Sequence, residues 1–225
     1  MALEPAFKVL SASRFQDSIA GLASINHRLS PYPGHPTNPS SPDDPSRNAK
    51  HPDHLVDISK AIIFLEEKYG ISNCFLLVGH SAGATLAFQI QDQFEGYKIP
   101  IPSGVLGVEG IYDIPVLVKT YESVPAYREF VENAFGPDET AWENASPARS
   151  EKSAAWDKAK AIIIAHSDED ELLNRKQADV MMKRLQQSAS SRDKTHYFPA
   201  TGHHDDIWKN GHGLACLIEN ALALI

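Results

Sequence analysis

The sequence predicts an α/β protein with a mostly parallel sheet covered by helices on both faces. Three observations carry that expectation. Strand-length runs at Cys74–Val78, Val105–Val108, Ala161–Ala165 and Thr195–Phe198 alternate with stretches whose apolar residues recur every three or four positions, as helical crossovers between parallel strands require. The runs at 74–78 and 161–165 are continuously apolar, which suits strands buried on both faces. The first of them ends in Gly79-His80-Ser81-Ala82-Gly83 and passes straight into a helical pattern with Leu86, Ile90 and Phe94 at helical spacing. Strand, tight turn and helix therefore follow one another without a linker.

Taken in order, residues 2–18 are amphipathic and predict a helix, and Ile19–Leu29 predicts a strand that ends in a polar turn. Seven prolines fall between Pro31 and Pro52, which argues against regular structure and predicts a long surface loop. Leu55, Ile58, Ile62, Leu65 and Tyr69 then advance by threes and fours, and Gly70 follows as a C′ residue, so a helix over 53–69 is expected. His51 and His54 lie near each other, but no third ligand stands at a metal-site spacing, and no metal is expected there.

Val105–Val108 leads into Glu109-Gly110-Ile111-Tyr112-Asp113 as a buried strand with its functional edge at the C-terminal end. Residues 114–150 break the rhythm. Tyr121, Tyr127, Phe130, Phe135 and Trp142 lie there on short helical pieces punctuated by Pro115, Pro125, Pro137 and Pro147, the pattern of an inserted cap whose aromatics form a core of its own. Ala161–Ala165 runs into His166-Ser167-Asp168-Glu169-Asp170-Glu171, a helix is expected over 174–187, and Thr195–Phe198 leads to Gly202-His203-His204-Asp205-Asp206. A terminal helix carries Leu214, Leu217, Ile218, Ala221 and Leu222. No repeat or linker divides the chain, so one domain over residues 1–225 is expected.

A net charge of −8 and a pI near 5.6, without a Lys/Arg run, argue against nucleic acid or an anionic membrane as partner. Cys74 and Cys216 read as small core residues rather than a disulfide pair, which fits a reducing compartment. Neither a leader pattern nor a membrane-length apolar run occurs, so a cytoplasmic protein is expected. The sequence leaves a homodimer open.

The chemistry gathers at expected strand ends. A serine in a sharp strand-to-helix turn, flanked by glycines that avoid clashes, exposes its oxygen as a nucleophile. The Ala82 N–H, at the helix start, is placed for an oxyanion. Ser81, then a carboxylate of the 168–171 run, then His203 or His204 follow the order nucleophile, acid, base. Asp170 is the acid expected, with Asp168 in reserve, and His204 is the base expected ahead of His203, because it adjoins the acidic turn that opens the last helix. His80 is expected to pack and to point elsewhere.

With these residues in place, the chain resembles the fungal-type kynurenine formamidases (arylformamidases) of the α/β-hydrolase superfamily. The resemblance rests on Asn26-His27-Arg28-Leu29-Ser30-Pro31, His54 and Asp57, Gly79–Gly83, Glu109–Asp113, His166–Leu173 and Gly202–Trp208. It implies hydrolysis of N-formyl-L-kynurenine, an aryl formamide, to L-kynurenine and formate in tryptophan catabolism toward NAD, without cofactor or metal. Two other readings stand beside it: a small-acyl carboxylesterase, and a non-catalytic hydrolase-like protein. The family's His-Gly-Gly-x-Trp oxyanion loop does not occur in the sequence, Met1 falls where the helix after that loop would lie, and His27 stands where the family has Tyr. The first strands are therefore expected to be missing, with a gap between 19–29 and 74–78 and Ala82 as the oxyanion donor.

Overall fold

A computed structural model describes residues 4–91, 93–94, 96–150 and 155–225. Its main sheet has four parallel strands in the order β1 (Leu76–His80), β4 (Gly104–Val108), β5 (Ala161–Ser167), β6 (Thr195–Ala200), and β2 (Gln93–Phe94) pairs antiparallel with β3 (Tyr97–Lys98) as a separate hairpin. The register runs His80 beside Val108, Val108 beside Ala165, and Ser167 beside Ala200. All four strands therefore open their C-terminal ends at one edge, where active residues of parallel sheets collect.

The helices are α1 (Glu4–Leu10), α2 (Asp53–Tyr69), α3 (Ala82–Gln89), α4 (Ile114–Thr120), α5 (Pro125–Phe135), α6 (Glu139–Ala145), α7 (Lys176–Gln187), α8 (Asp206–Lys209) and α9 (His212–Leu222). Because successive strand residues face opposite ways, β4 and β5 divide their side chains between two layers. Leu106, Val108, Ile163 and Ala165 pack with α1 and α9, whereas Val105, Ile162 and Ile164 pack with α3 and α7. Every residue of β4 and β5 is buried, as the apolar runs foretell. Gly70, at φ 62°, ends α2 by donating its N–H to the Glu66 carbonyl (2.8 Å).

Helices α4, α5 and α6 fill the interval between β4 and β5. Ile114, Leu117, Val118, Val131 and Trp142 form a cluster there that also takes in Leu173, from the loop after β5. The aromatics of this insertion thus build a core of their own, and that core reaches the acidic loop.

Several expectations fail, each for a physical reason. Residues 19–29 form no strand: Leu29 pairs with the 46–49 turn, and Leu22 and Leu29 are exposed. Ile19 packs toward α1 and α9 and Ile25 toward α2, so the segment crosses beside β1 without forming a ladder. β1 is consequently an edge strand, half-buried rather than enclosed. The helix expected over 2–18 is confined to Glu4–Leu10 with a 3₁₀ turn at Gln16–Ser18, and residues 2 and 3 lie outside the described residues. Cys74 and Cys216 are exposed. The first sits in a turn before β1, held by Asn73 at φ 60°, and the second lies on the outer side of α9, whose inward residues are Leu214, Ala215, Leu217, Ile218 and Ala221.

Candidate active site

Ser81 joins β1 to α3 with φ 54° and ψ −125°, a left-handed conformation that a non-glycine residue holds only under constraint. The constraint comes from both sides of the turn. Ser81 N donates to the Val108 carbonyl (3.0 Å), and the Ser81 carbonyl accepts from Ala84 N (3.0 Å). A Cβ at Gly79 would stand 2.3 Å from the Gly83 carbonyl oxygen and 2.6 Å from Ala84 N, so only glycine fits. At Gly83 nothing lies within 4 Å of such a Cβ; the expectation that both glycines are needed to avoid clashes holds for Gly79 alone. Ala82 opens α3, where the first N–H groups have no acceptor within the helix.

The acidic run after β5 grips the loop after β6. Glu169 Oε2 accepts from Gly202 N (2.6 Å), Ser167 Oγ donates to the Gly202 carbonyl (2.7 Å), and Glu171 Oε2 accepts from His204 N (2.9 Å). Within that frame Asp170 Oδ2 lies 2.8 Å from His204 Nδ1. Both side chains are buried. Asp170 Oδ1 accepts from Leu172 N (2.9 Å) and Leu173 N (2.8 Å). Burial opposes ionisation of Asp170, but the His204 hydrogen bond and the backbone donors outweigh it and hold its pKa below the usual carboxylate range. Burial likewise opposes charging of His204, and the bond to Asp170 overcomes it, so the imidazole pKa is raised. The alternatives stand apart: His203 is exposed beside Glu171 (3.2 Å), and Asp168 is exposed beside Arg175 (3.6 Å).

The kin of this chain decide between hydrolase families. It is 34% identical over 229 residues to the kynurenine formamidase-like hydrolase fscH of Fusarium equiseti, an alignment covering 97% of this chain and 75% of that protein. It is 36% identical over 216 residues to the kynurenine formamidase avaC of Aspergillus versicolor, covering 87% and 72%. The chain belongs to the kynurenine formamidase family. No protein-family model matches it. Among solved structures, this formamidase-family chain is similar to carboxyl esterase 2 of Tuber melanosporum (TM-score 0.57, 19% identity) and to an esterase B of Lactobacillus rhamnosis (TM-score 0.60, 14% identity). Each match covers 78% of this chain and 62% of the other. At such identities the likeness is one of fold, the α/β-hydrolase fold.

Two residues beside the Asp170–His204 pair escaped the sequence reading of roles. Glu109, directly after β4, is wholly buried, and its Oε2 lies 3.2 Å from His80 Nε2 and 3.9 Å from His204 Nδ1. His80 does not point elsewhere: its ring lies 4.5 Å from the His204 ring, and its Nε2 is 2.9 Å from the His204 carbonyl oxygen. The available signal was position alone, since Glu109 follows a strand end as Ser81 does. From α7, Gln177 Oε1 accepts from Tyr112 N (2.8 Å) and Asp113 N (2.9 Å), which fixes the turn after Glu109.

His80, Glu109 and His204 bring donor atoms within 4.8 Å of one another, yet their chemistry does not fit a cation. His80 Nε2 faces a carbonyl oxygen, which can only accept, so that nitrogen carries a proton. His204 Nδ1 faces the Asp170 carboxylate and does the same. Neither offers the lone pair that a metal takes. His54 Nε2 is engaged by Ser30 Oγ (3.0 Å), and burial lowers the His54 pKa.

The helical insertion touches the acid loop directly. Tyr127 Oη donates to the Leu172 carbonyl (2.5 Å), and Tyr121 Oη accepts from Asn174 N (2.7 Å). The two rings stack at 4.3 Å. A cavity of about 90 Å³ bordered by His51, Gln89, Asn144 and Trp156 contains none of the strand-end residues.

Proposed function

We propose that this chain is a serine hydrolase that cleaves N-formyl-L-kynurenine to L-kynurenine and formate. The supporting observation is the buried Asp170–His204 pair, whose loop folds back over the strand ends to the His80–Ser81 turn in a chain of this family. Ser81 Oγ attacks the formyl carbon while His204 Nε2 takes its proton, and the Ala82 N–H faces the oxyanion. The tetrahedral adduct collapses as His204 returns the proton to the departing arylamine. Water then attacks the formyl-serine ester, His204 takes one water proton and gives it to Ser81 Oγ, and formate leaves.

Asp170 holds Nδ1 and so leaves Nε2 as the proton-transferring nitrogen, stabilising the imidazolium as it forms. Among the described residues Ser81 Oγ makes no hydrogen bond, an open geometry that tightens when substrate binds. Tyr127 and Tyr121 hold the loop that carries Asp170 through Leu172 and Asn174, and no cofactor enters the chemistry. The place of the reaction is tryptophan catabolism in the cytoplasm.

Purified protein is incubated with formylkynurenine, and kynurenine and formate are measured together. Equimolar release that Ser81→Ala abolishes is the expected result. No turnover by the intact chain, or undiminished turnover by the variant, overturns the reading. Faster cleavage of p-nitrophenyl acetate than of formanilides would make the chain an esterase instead.

A further inference from the structure

The mechanism above uses three strand ends; a fourth, that of β4, carries Glu109. Its backbone stands at φ 47°, a region that a glutamate keeps only when its surroundings impose it. Glu109 N donates to the Ala165 carbonyl (2.8 Å), which ties the residue between β4 and β5. The side chain reaches the loop after β6, with Oε2 near both His80 Nε2 and His204 Nδ1, while Oε1 is buried without a partner. A carboxylate kept under strain, with one oxygen unsatisfied, is costly to the fold, and what it faces is the ring nitrogen that Asp170 also holds.

We infer that Glu109 is a positioning residue for the reaction, a second carboxylate that orients His204 beside Asp170 and shares the positive charge formed when Ser81 loses its proton. The inference rests on the serine-hydrolase reading. His80 completes the arrangement: its Nε2–H is within reach of both Glu109 Oε2 and the His204 carbonyl, so one donor aligns the carboxylate with the residue it serves. The titratable groups around this centre are His80 after β1, Asp170 after β5, and His204 and Asp205 after β6. Burial raises the Glu109 pKa against the opposing pull of His80 and His204, and the 3.9 Å between Glu109 Oε2 and His204 Nδ1 couples the two ionisations, each charge favouring the other.

The test compares wild type with Glu109→Gln, which keeps the shape and removes the charge. Two readouts are taken: the pH profile of kcat/KM on a formanilide, and the titration of His204 followed by NMR of isotopically labelled histidine. E109Q is expected to lower kcat/KM about tenfold with KM within about twofold, and to move both the acid limb and the His204 titration down by about half a pH unit or more. E109D, which keeps the charge, recovers part of the loss. A folded E109Q protein whose acid limb and His204 titration coincide with wild type overturns the inference.

Should E109Q not fold, E109D decides, because its shorter side chain draws the charge back from His204 Nδ1: a His204 titration below that of wild type supports the role, and one that coincides with wild type overturns it. The titration needs no substrate, so a chain that hydrolyses nothing sinks the hydrolase reading while Glu109 is still judged.

Discussion

Ser81 and His204 serve different needs of the proposed reaction, and their variants separate accordingly. Ser81→Ala removes the nucleophile and should lower turnover by about 10⁴-fold to 10⁶-fold, with the melting temperature little changed. His204→Ala should match that loss and His203→Ala should not, because only His204 meets Asp170; equal losses in the two variants would reverse the assignment of the base. The pH dependence has a definite sign. A general base works neutral, and His204 has a raised pKa, so activity should fall as pH drops through a value above 6.5, the ordinary histidine value. Asp170→Asn removes the main partner that raises it, so the acid limb should move to lower pH while the plateau drops; a limb displaced upward contradicts the argument. The positions of Ser81, Asp170 and His204 at strand ends were legible because each follows a recognisable strand. Glu109 also follows one, but its role depends on His80 and His204, which come from two other elements, and a linear pattern does not record that convergence.

The elements show where reading by pattern succeeds. β4, β5 and α2 were legible because burial on both faces leaves continuous apolar runs, and burial on one face leaves a helical period. Residues 19–29 carry enough apolar side chains for a strand, but pairing depends on a neighbour, and Ile19 and Ile25 anchor the segment to different clusters instead. The turn between β1 and α3 invites a contrast between its glycines. Gly79→Ala places a methyl against backbone atoms at 2.3 to 2.6 Å, which no rotamer relieves, so a loss of about 3 kcal/mol or more is expected along with displacement of Ser81. Gly83→Ala meets open space inside α3 and should be neutral or stabilising by up to about 1 kcal/mol. Urea denaturation of the two variants checks the pair; similar midpoints would mean that the turn is not confined as described.

Across the whole molecule the sheet is asymmetric, and the asymmetry is open to measurement. β4 and β5 have a strand on each side, whereas β1 has β4 alone. Ser103 N donates to the Phe75 carbonyl and Ser81 N to the Val108 carbonyl, so the odd residues from Phe75 to Ser81 turn their backbone groups toward β4. In a parallel strand each residue's N–H and C=O share a side and the sides alternate. Leu76, Val78 and His80 therefore turn theirs outward, where no other strand pairs with them among the described residues. Native-state hydrogen exchange should show that alternation within a single strand. The amides of Leu77 and Gly79 should be protected, those of Leu76 and Val78 should exchange faster by about a hundredfold or more, and Ile163 and Ile164 in β5 should exchange only through global unfolding. Uniform protection along β1 would mean that something covers this edge in solution. If that cover were a second copy of the chain, the protection would grow with protein concentration, because pairing between copies follows mass action and pairing within one chain does not.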